Sequence, residues 1–95
     1  MKEILINLDF PQTLTRLTLN SYGREIFKEQ VADKIDYEQL NIIHFPDRII
    51  RISSSFVQGF FTEIVNNIGY EKLQEHIRID TVNDKVEKSV WDNLF

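Results

Sequence analysis

The side chains in this 95-residue sequence that could do chemistry gather in one stretch, His44 to Gln58. Three hydroxyls in succession, Ser53, Ser54 and Ser55, stand directly before the apolar block that opens with Phe56 and Val57. His44 and Asp47 lie a few residues upstream. A hydroxyl, an imidazole and a carboxylate are the parts of a Ser-His-Asp hydrolase. The Gly-x-Ser-x-Gly turn that would put the nucleophile on show is missing, and any polar stretch of this length offers such a set, so no enzyme is expected. His44 and His76, with Asp80, are conceivable metal ligands. They lack the paired spacing of an H-x-x-x-H site, and no metal is expected. There is no glycine-rich phosphate loop, so no cofactor is expected, and the absence of cysteine removes disulfides and thiolate chemistry.

What remains is a serine used for its hydroxyl at a strand–helix junction. Ser55 with Gln58 fits the capping box S-x-x-Q, in which the hydroxyl takes the N3 amide and the glutamine returns to the cap amide. Such a cap is worth about 1 kcal/mol. Ser53 and Ser54 are then left over, before a helix N-terminus whose amides and dipole favour an anion, including a phosphate carried on serine. They are either a polar connection or a regulatory, partner-facing surface, with Arg48, Arg51 and Gln58 around it.

The elements that must hold this junction follow from periodicity. In "EILINLDF", Ile4, Ile6, Leu8 and Phe10 fall on one face, with Glu3, Asn7 and Asp9 on the other, which predicts a half-buried strand that Pro11 ends. "TLTRLTL" (13–19) reads as a short strand hairpinned onto the first. From Asn20 or Ser21, Ile26, Phe27, Val31 and Ile35 recur at helical spacing. "LNIIHF" (40–45) is a compact apolar run that reads as a buried strand, broken by Pro46-Asp47. "RIIRI" (48–52) is a strand extension or a tight connection. Over 55–68, Phe56, Phe60, Ile64 and Ile68 form one i, i+4 row beside Val57, Phe61 and Val65, and Gly69 closes the helix. "YEKLQE" adds a helical turn, and "HIRIDTV" (76–82) alternates as a further strand. Asp84 with Glu87 forms a capping box for a last helix striped by Val86, Val90, Trp91, Leu94 and Phe95. The order β(β)αβαβα implies an α/β fold with right-handed crossovers and a largely parallel sheet of about four strands with three helices.

Length bounds the rest. Residues 1–95 make a single domain, with no linker or internal repeat, and a chain of this size buries roughly 60–65% of its unfolded surface. An apolar fraction of 42%, with seven Phe, is enough for a packed core. Eleven Lys and Arg against fifteen Asp and Glu give a formal charge of −4, with the basic residues scattered. Nucleic-acid binding draws on several phosphate contacts, so it is not expected. No apolar run reaches the ~20 residues of a membrane span, and the N-terminus has no signal-peptide pattern; a cytoplasmic location is expected.

The strand "LNIIHF", the Ser54-Ser55-Phe56 segment that opens an amphipathic helix, the Phe60-Phe61 pair and the preceding helix beginning "SYGREIF" together resemble the STAS-like domain family of unknown function. The resemblance runs over roughly residues 19–95. That family is distantly related to the STAS domains of sulfate transporters and anti-sigma-factor antagonists. In the antagonists, a Ser or Thr at this junction is phosphorylated by a partner kinase of the histidine-kinase-like ATPase fold. The resemblance implies a STAS-like domain acting as a non-enzymatic protein-binding module, with Ser53, Ser54 and Ser55 as its phosphorylation or partner surface and such an ATPase as partner. Two positions depart from the pattern: His44 stands for the strand-end acid, and Gln58-Gly59 for the acidic pair after Ser-Phe. A competing expectation is a small acidic inhibitor or accessory protein of phage or mobile-element origin that uses the fold as a binding scaffold. A homodimer joined through an exposed apolar edge is also open.

Overall fold

The computed structural model describes residues 1–95 as a mixed α/β domain. Its main sheet has three parallel strands, β1 (Glu3–Asn7), β3 (Leu40–His44) and β5 (Ile77–Asp80), in the spatial order β1-β3-β5. A second, two-stranded parallel sheet pairs β2 (Arg16–Leu17) with β4 (Arg51–Ile52). The helices are α1 (Asn20–Ile26), continued by a π-helical turn over Phe27–Val31, then α2 (Ser54–Ile68), the short α3 (Leu73–His76) after a 3-10 turn, and α4 (Asp84–Leu94).

Strand order in space follows order along the chain. Right-handed crossovers taken in one direction put every intervening helix on the same side of the sheet. The side chains record this. Ile6, Ile43, Ile77 and Ile79 share the inner face and are buried under the helical layer. Glu3, Leu5 and Asn7, with Leu40, Ile42, His44, Arg78 and Asp80, occupy the outer face, where Leu5 is 67% exposed. The run 40–45, expected to be buried throughout, therefore alternates: Asn41, Ile43 and Phe45 point inward while Leu40, Ile42 and His44 stay half-exposed. Asn41 is the one buried polar residue and is fully bonded. Its Oδ1 accepts from the Asp36 amide at 2.9 Å, and its Nδ2 donates to the carbonyls of Asp36 at 2.8 Å and His76 at 3.1 Å. It ties the entries of β3 and β5 together.

Segment 13–19 does not form a hairpin with β1. Residues 8–15, bent at Pro11 by the Leu14 amide donating to the Pro11 carbonyl, carry the chain away from the main sheet. Only Leu17 of the segment is fully buried. A two-residue strand suffices to place it, and the matching partner is Ile52 of β4, also buried. The 48–52 segment thus supplies a strand of its own.

The core of 21 apolar residues centres on α2, from which Phe56, Val57, Phe60, Phe61 and Ile64 are buried. Phe60 sits among four other rings, Phe27, Phe45, Phe56 and Phe61, with centroids 5.3–6.3 Å away. Gly69, at φ +74°, ends the helix in the left-handed region that a side chain would resist. Asn83, not Asp84, caps α4: Asn83 has the extended backbone and accepts from the Lys85 amide at 3.0 Å, whereas Asp84 is already helical. The apolar stripe of α4 stops at Leu94, and Phe95 is 66% exposed.

Candidate functional site

The Leu17 carbonyl accepts from the Ser53 amide at 2.8 Å, so the β2–β4 ladder holds Ser53 extended, at φ −81°, ψ 160°. An extended residue whose successor is helical is the N-cap by geometry. The Ser53 hydroxyl accepts from the Phe56 amide at 3.2 Å and donates to the Thr18 carbonyl at 2.6 Å. Ser53 is therefore the cap, in place of Ser55, and Gln58 has no reciprocal role. The helix starts two residues earlier than the S-x-x-Q spacing suggests because the ladder fixes the last extended residue.

With Ser53 holding both the cap and the strand end, Ser54 and Ser55 occupy the first two helical positions and are exposed. They belong to different rows of α2. Ser54 lies one turn before Gln58, in the row that continues through Phe61 and Thr62 to Val65. Those four residues, with Tyr70 and Asn93 opposite, line a groove of about 320 Å³ between α2 and α4. Ser55 lies one turn before Gly59, in the row that meets α1.

That second row is set by close backbone approach. A Cβ on Gly59 would stand inside contact distance of the Asn20 carbonyl oxygen and 2.9 Å from its carbon. A Cβ on Gly23 would stand 2.8 Å from the Phe60 amide nitrogen. The two glycines face each other across the α1–α2 crossing and lock the first turns of α2 in place. Tyr22 braces the same end, its ring 6.0 Å from Phe56 and 6.2 Å from Phe10. Burial first, then the nearby Glu25 and Glu29, raises the Tyr22 pKa above its ordinary value. Neither the glycine pair nor Tyr22 was singled out by sequence reasoning. The signal for the pair is a glycine in the interior of each helical stripe, where propensity alone disfavours it.

The remaining candidates separate. Arg48 is half-buried, and its guanidinium donates to the carbonyls of Phe10 and of Pro11, which fastens the 8–15 connection to the core. Arg51 is exposed beside its ladder partner Arg16, in a depression distinct from the α2–α4 groove. His44 projects from the bare sheet face, where its Nδ1 meets Asp80 Oδ2 at 2.8 Å. Asp47 is exposed in the turn after β3, and no hydrogen bond joins it, His44 or any of the serines to one another. His76 contacts the Gln39 carbonyl through Nδ1 at 2.9 Å. Because Asn41 pairs with Ile77, His76 lies level with Leu40, at the opposite end of β3 from His44 and about 13 Å along the strand. No group of three or more metal-ligating side chains occurs. No helix is long and apolar enough to cross a membrane.

The fold and this junction define a two-layer α/β domain with a one-faced parallel sheet and a rigid strand-to-helix corner that displays two hydroxyls. No protein-family model, curated protein or solved structure matches the chain.

Proposed function

We propose that this domain is a non-enzymatic protein-binding module whose working surface is the exposed start of α2, Ser54 and Ser55 with Gln58 behind Ser54, and Arg51 at its border. One observation carries the reading. Ser53 takes the structural duties of the junction, which leaves the Ser54 and Ser55 hydroxyls in solvent on a backbone that the Gly23–Gly59 crossing holds still. A rigid, displayed hydroxyl at the positive end of a 15-residue helix suits reversible modification, because the dipole and free amides favour an added negative charge. The STAS-like resemblance supports a partner of the histidine-kinase-like ATPase class and a switch of the anti-sigma-factor-antagonist type. Gly59, one of the departures from that family's pattern, has a separate explanation in helix packing: an acidic side chain there has no room beside Asn20.

The test compares wild type, Ser54→Ala and Ser54→Asp as baits in the native host, with the captured proteins identified by mass spectrometry. Ser54→Ala should retain the partner. Ser54→Asp should lose it at least tenfold while melting within about 1 kcal/mol of wild type, since the helix dipole accommodates the charge. Equal recovery of the same partner by all three proteins would leave Ser54 as a solvated first turn and end the proposal.

A further inference from the structure

Acidic residues outnumber basic ones fifteen to eleven, yet three of the cations share one depression whose lining contains no acid. It measures about 380 Å³ and is lined by Arg16 of β2, Ile50 and Arg51 at β4, the α4 cap Asn83, and Lys85 and Ser89 in the first half of α4.

This arrangement works against the free domain. Arg16 and Arg51 are register partners in the parallel β2–β4 ladder, so two like charges project side by side one strand spacing apart, about 4.8 Å. Like charges in that relation are destabilising. Lys85 adds a third positive charge in the first turn of α4, the end of the helix dipole that favours anions. No ion pair or hydrogen bond within the chain engages their charged groups. The only carboxylates within 4.0 Å of a basic group are those beside His44 and His76. The arginines whose guanidinium groups bond within the chain are Arg24 and Arg48. Asp84 and Glu87, in the same turn as Lys85, do not line the depression.

We infer that this cleft binds a dianionic phosphoryl group. Two adjacent guanidinium forks match the paired oxygens of a phosphate, and the lysine supplies a point charge beside them. Three positive charges suit a phosphoryl group, which carries about −1.5 to −2, better than a single carboxylate. The side-chain Oδ1 of Asn83 is taken by the Lys85 amide, which leaves its Nδ2 as a neutral donor, and Ser89 in the same lining carries a hydroxyl. The inference goes beyond the Ser54 surface and shares only Arg51 with it, because the row of Ser54 runs into the other groove, between α2 and α4.

The experiment follows the amide and guanidinium NMR shifts of the full chain during titration. The probes are inorganic phosphate, glycerol phosphate, a phosphoserine peptide flanked by alanines, and the same peptide unphosphorylated. Wild type is compared with the Arg16→Gln/Lys85→Gln double variant and with Lys28→Gln, an exposed control on the π turn after α1. In wild type and control, shifts should concentrate at residues 16, 51, 83, 85 and 89 and saturate. In the double variant the Kd should rise on the order of tenfold or more, as expected for losing charge-assisted hydrogen bonds. In low-salt buffer without phosphate, Arg16→Gln alone should raise Tm by relieving the Arg16–Arg51 repulsion, an effect that mere loss of a surface contact would not give. Binding confined to the phosphopeptide assigns the phosphoryl group to a protein-borne phosphoserine; comparable binding of the free phosphates assigns it to a small phosphate ester. Shifts scattered over the surface, or a titration that is the same for wild type and the double variant, would overturn the inference.

Discussion

Gly59→Ala sets two opposed forces against each other at one atom. Gly59 is the sixth residue of the 15-residue α2, an interior position where alanine is preferred to glycine by about 1 kcal/mol. On propensity alone the variant should be more stable. The crossing geometry says otherwise. The new methyl group would lie 2.9 Å from the Asn20 carbonyl carbon and 3.1 Å from its Cα, with the carbonyl oxygen closer still. Ordinary carbon–carbon contact is about 3.5–4.0 Å, so α1 must withdraw by roughly 1 Å. The obstacle is backbone, so no rotamer change relieves it. Withdrawal loosens Ile26, Phe27 and Gly23 from Phe56 and Phe60 together. Overpacking of this kind costs about 1–3 kcal/mol, and the separation of two packed faces puts the expectation at the upper end, a net loss of about 2 kcal/mol after the gain in propensity. Urea denaturation followed by far-UV circular dichroism gives the sign directly, with an unchanged slope certifying that the midpoint shift reports stability. A midpoint equal to or above that of wild type would refute the close-approach argument, and with it the claim that the start of α2 is held rigid. Gly23→Ala should behave in the same way.

Three further outcomes follow from the packing and the caps. Phe60→Ala removes the ring around which Phe27, Phe45, Phe56 and Phe61 assemble and should destabilise by about 3–5 kcal/mol in a chemical melt, while exposed Glu63→Ala on the same helix moves the midpoint by less than about 0.5 kcal/mol; a Phe60→Ala loss below about 1 kcal/mol would mean that the helix face is misassigned. Ser53→Ala should lose about 0.5–2 kcal/mol because it deletes the bond from the Phe56 amide, whereas Ser55→Ala should be near neutral, and the reverse ranking in thermal melts would restore Ser55 as the cap. Burial first, and then the Glu63 carboxylate, raises the Tyr37 pKa above its ordinary value against the lowering effect of Asn67, so the folded state holds that proton more tightly than the unfolded chain. Its contribution is intact below about pH 10 and lost as pH climbs through the raised value, so Tyr37→Phe should show a shallower alkaline loss of stability than wild type, and parallel losses would contradict the burial argument.

The sequence is most legible where a single periodicity decides burial. Helix α2 is readable because its two apolar rows leave no other way to bury Phe56, Phe60 and Phe61. Strand β1 is readable because Ile4 and Ile6 fall on one face, but the same alternation runs on through Leu8 and Phe10, so its end at Asn7 rather than at Pro11 is not legible. What escapes is long-range pairing. Arg16–Leu17 offers one inward side chain, and nothing local distinguishes a hairpin with β1 from a ladder with residues 51–52. The same long-range ladder moved the cap from Ser55 to Ser53, since the bond from the Ser53 amide to Leu17 spans 36 positions of chain while the S-x-x-Q spacing is purely local. Asn83 displaced Asp84 for a related reason: both residue types cap well, and only backbone conformation separates the extended residue from the helical one. The cationic depression is invisible to local pattern because Arg16, Arg51 and Lys85 are far apart in sequence.

The one-faced sheet decides where recognition can occur. All-parallel sheets are usually covered on both sides, so a bare face invites the idea that a partner or a second copy completes it. Its dimensions argue against that as the main surface. Three strands about 4.8 Å apart and about five residues long present roughly 230 Å², far below the ~800 Å² per partner of a standard interface. Its chemistry points the same way. Leu5, Leu40 and Ile42 are framed by Glu3, Asn7, Arg78 and the paired His44 and Asp80, a mixture that water solvates without help. A dimer would therefore have to draw on the helical layer or the edge strands as well. Two concave surfaces lie away from that face: the groove entered from the Ser54 row, and the cleft of Arg16, Arg51 and Lys85. The cleft is built on the short β2–β4 ladder, whose two residue pairs hold the cap of α2 on one end and the opposed arginines on the other side. A two-residue sheet adds little to the core beyond Leu17 and Ile52, but it fixes the positions of the groups that the rest of the molecule leaves exposed.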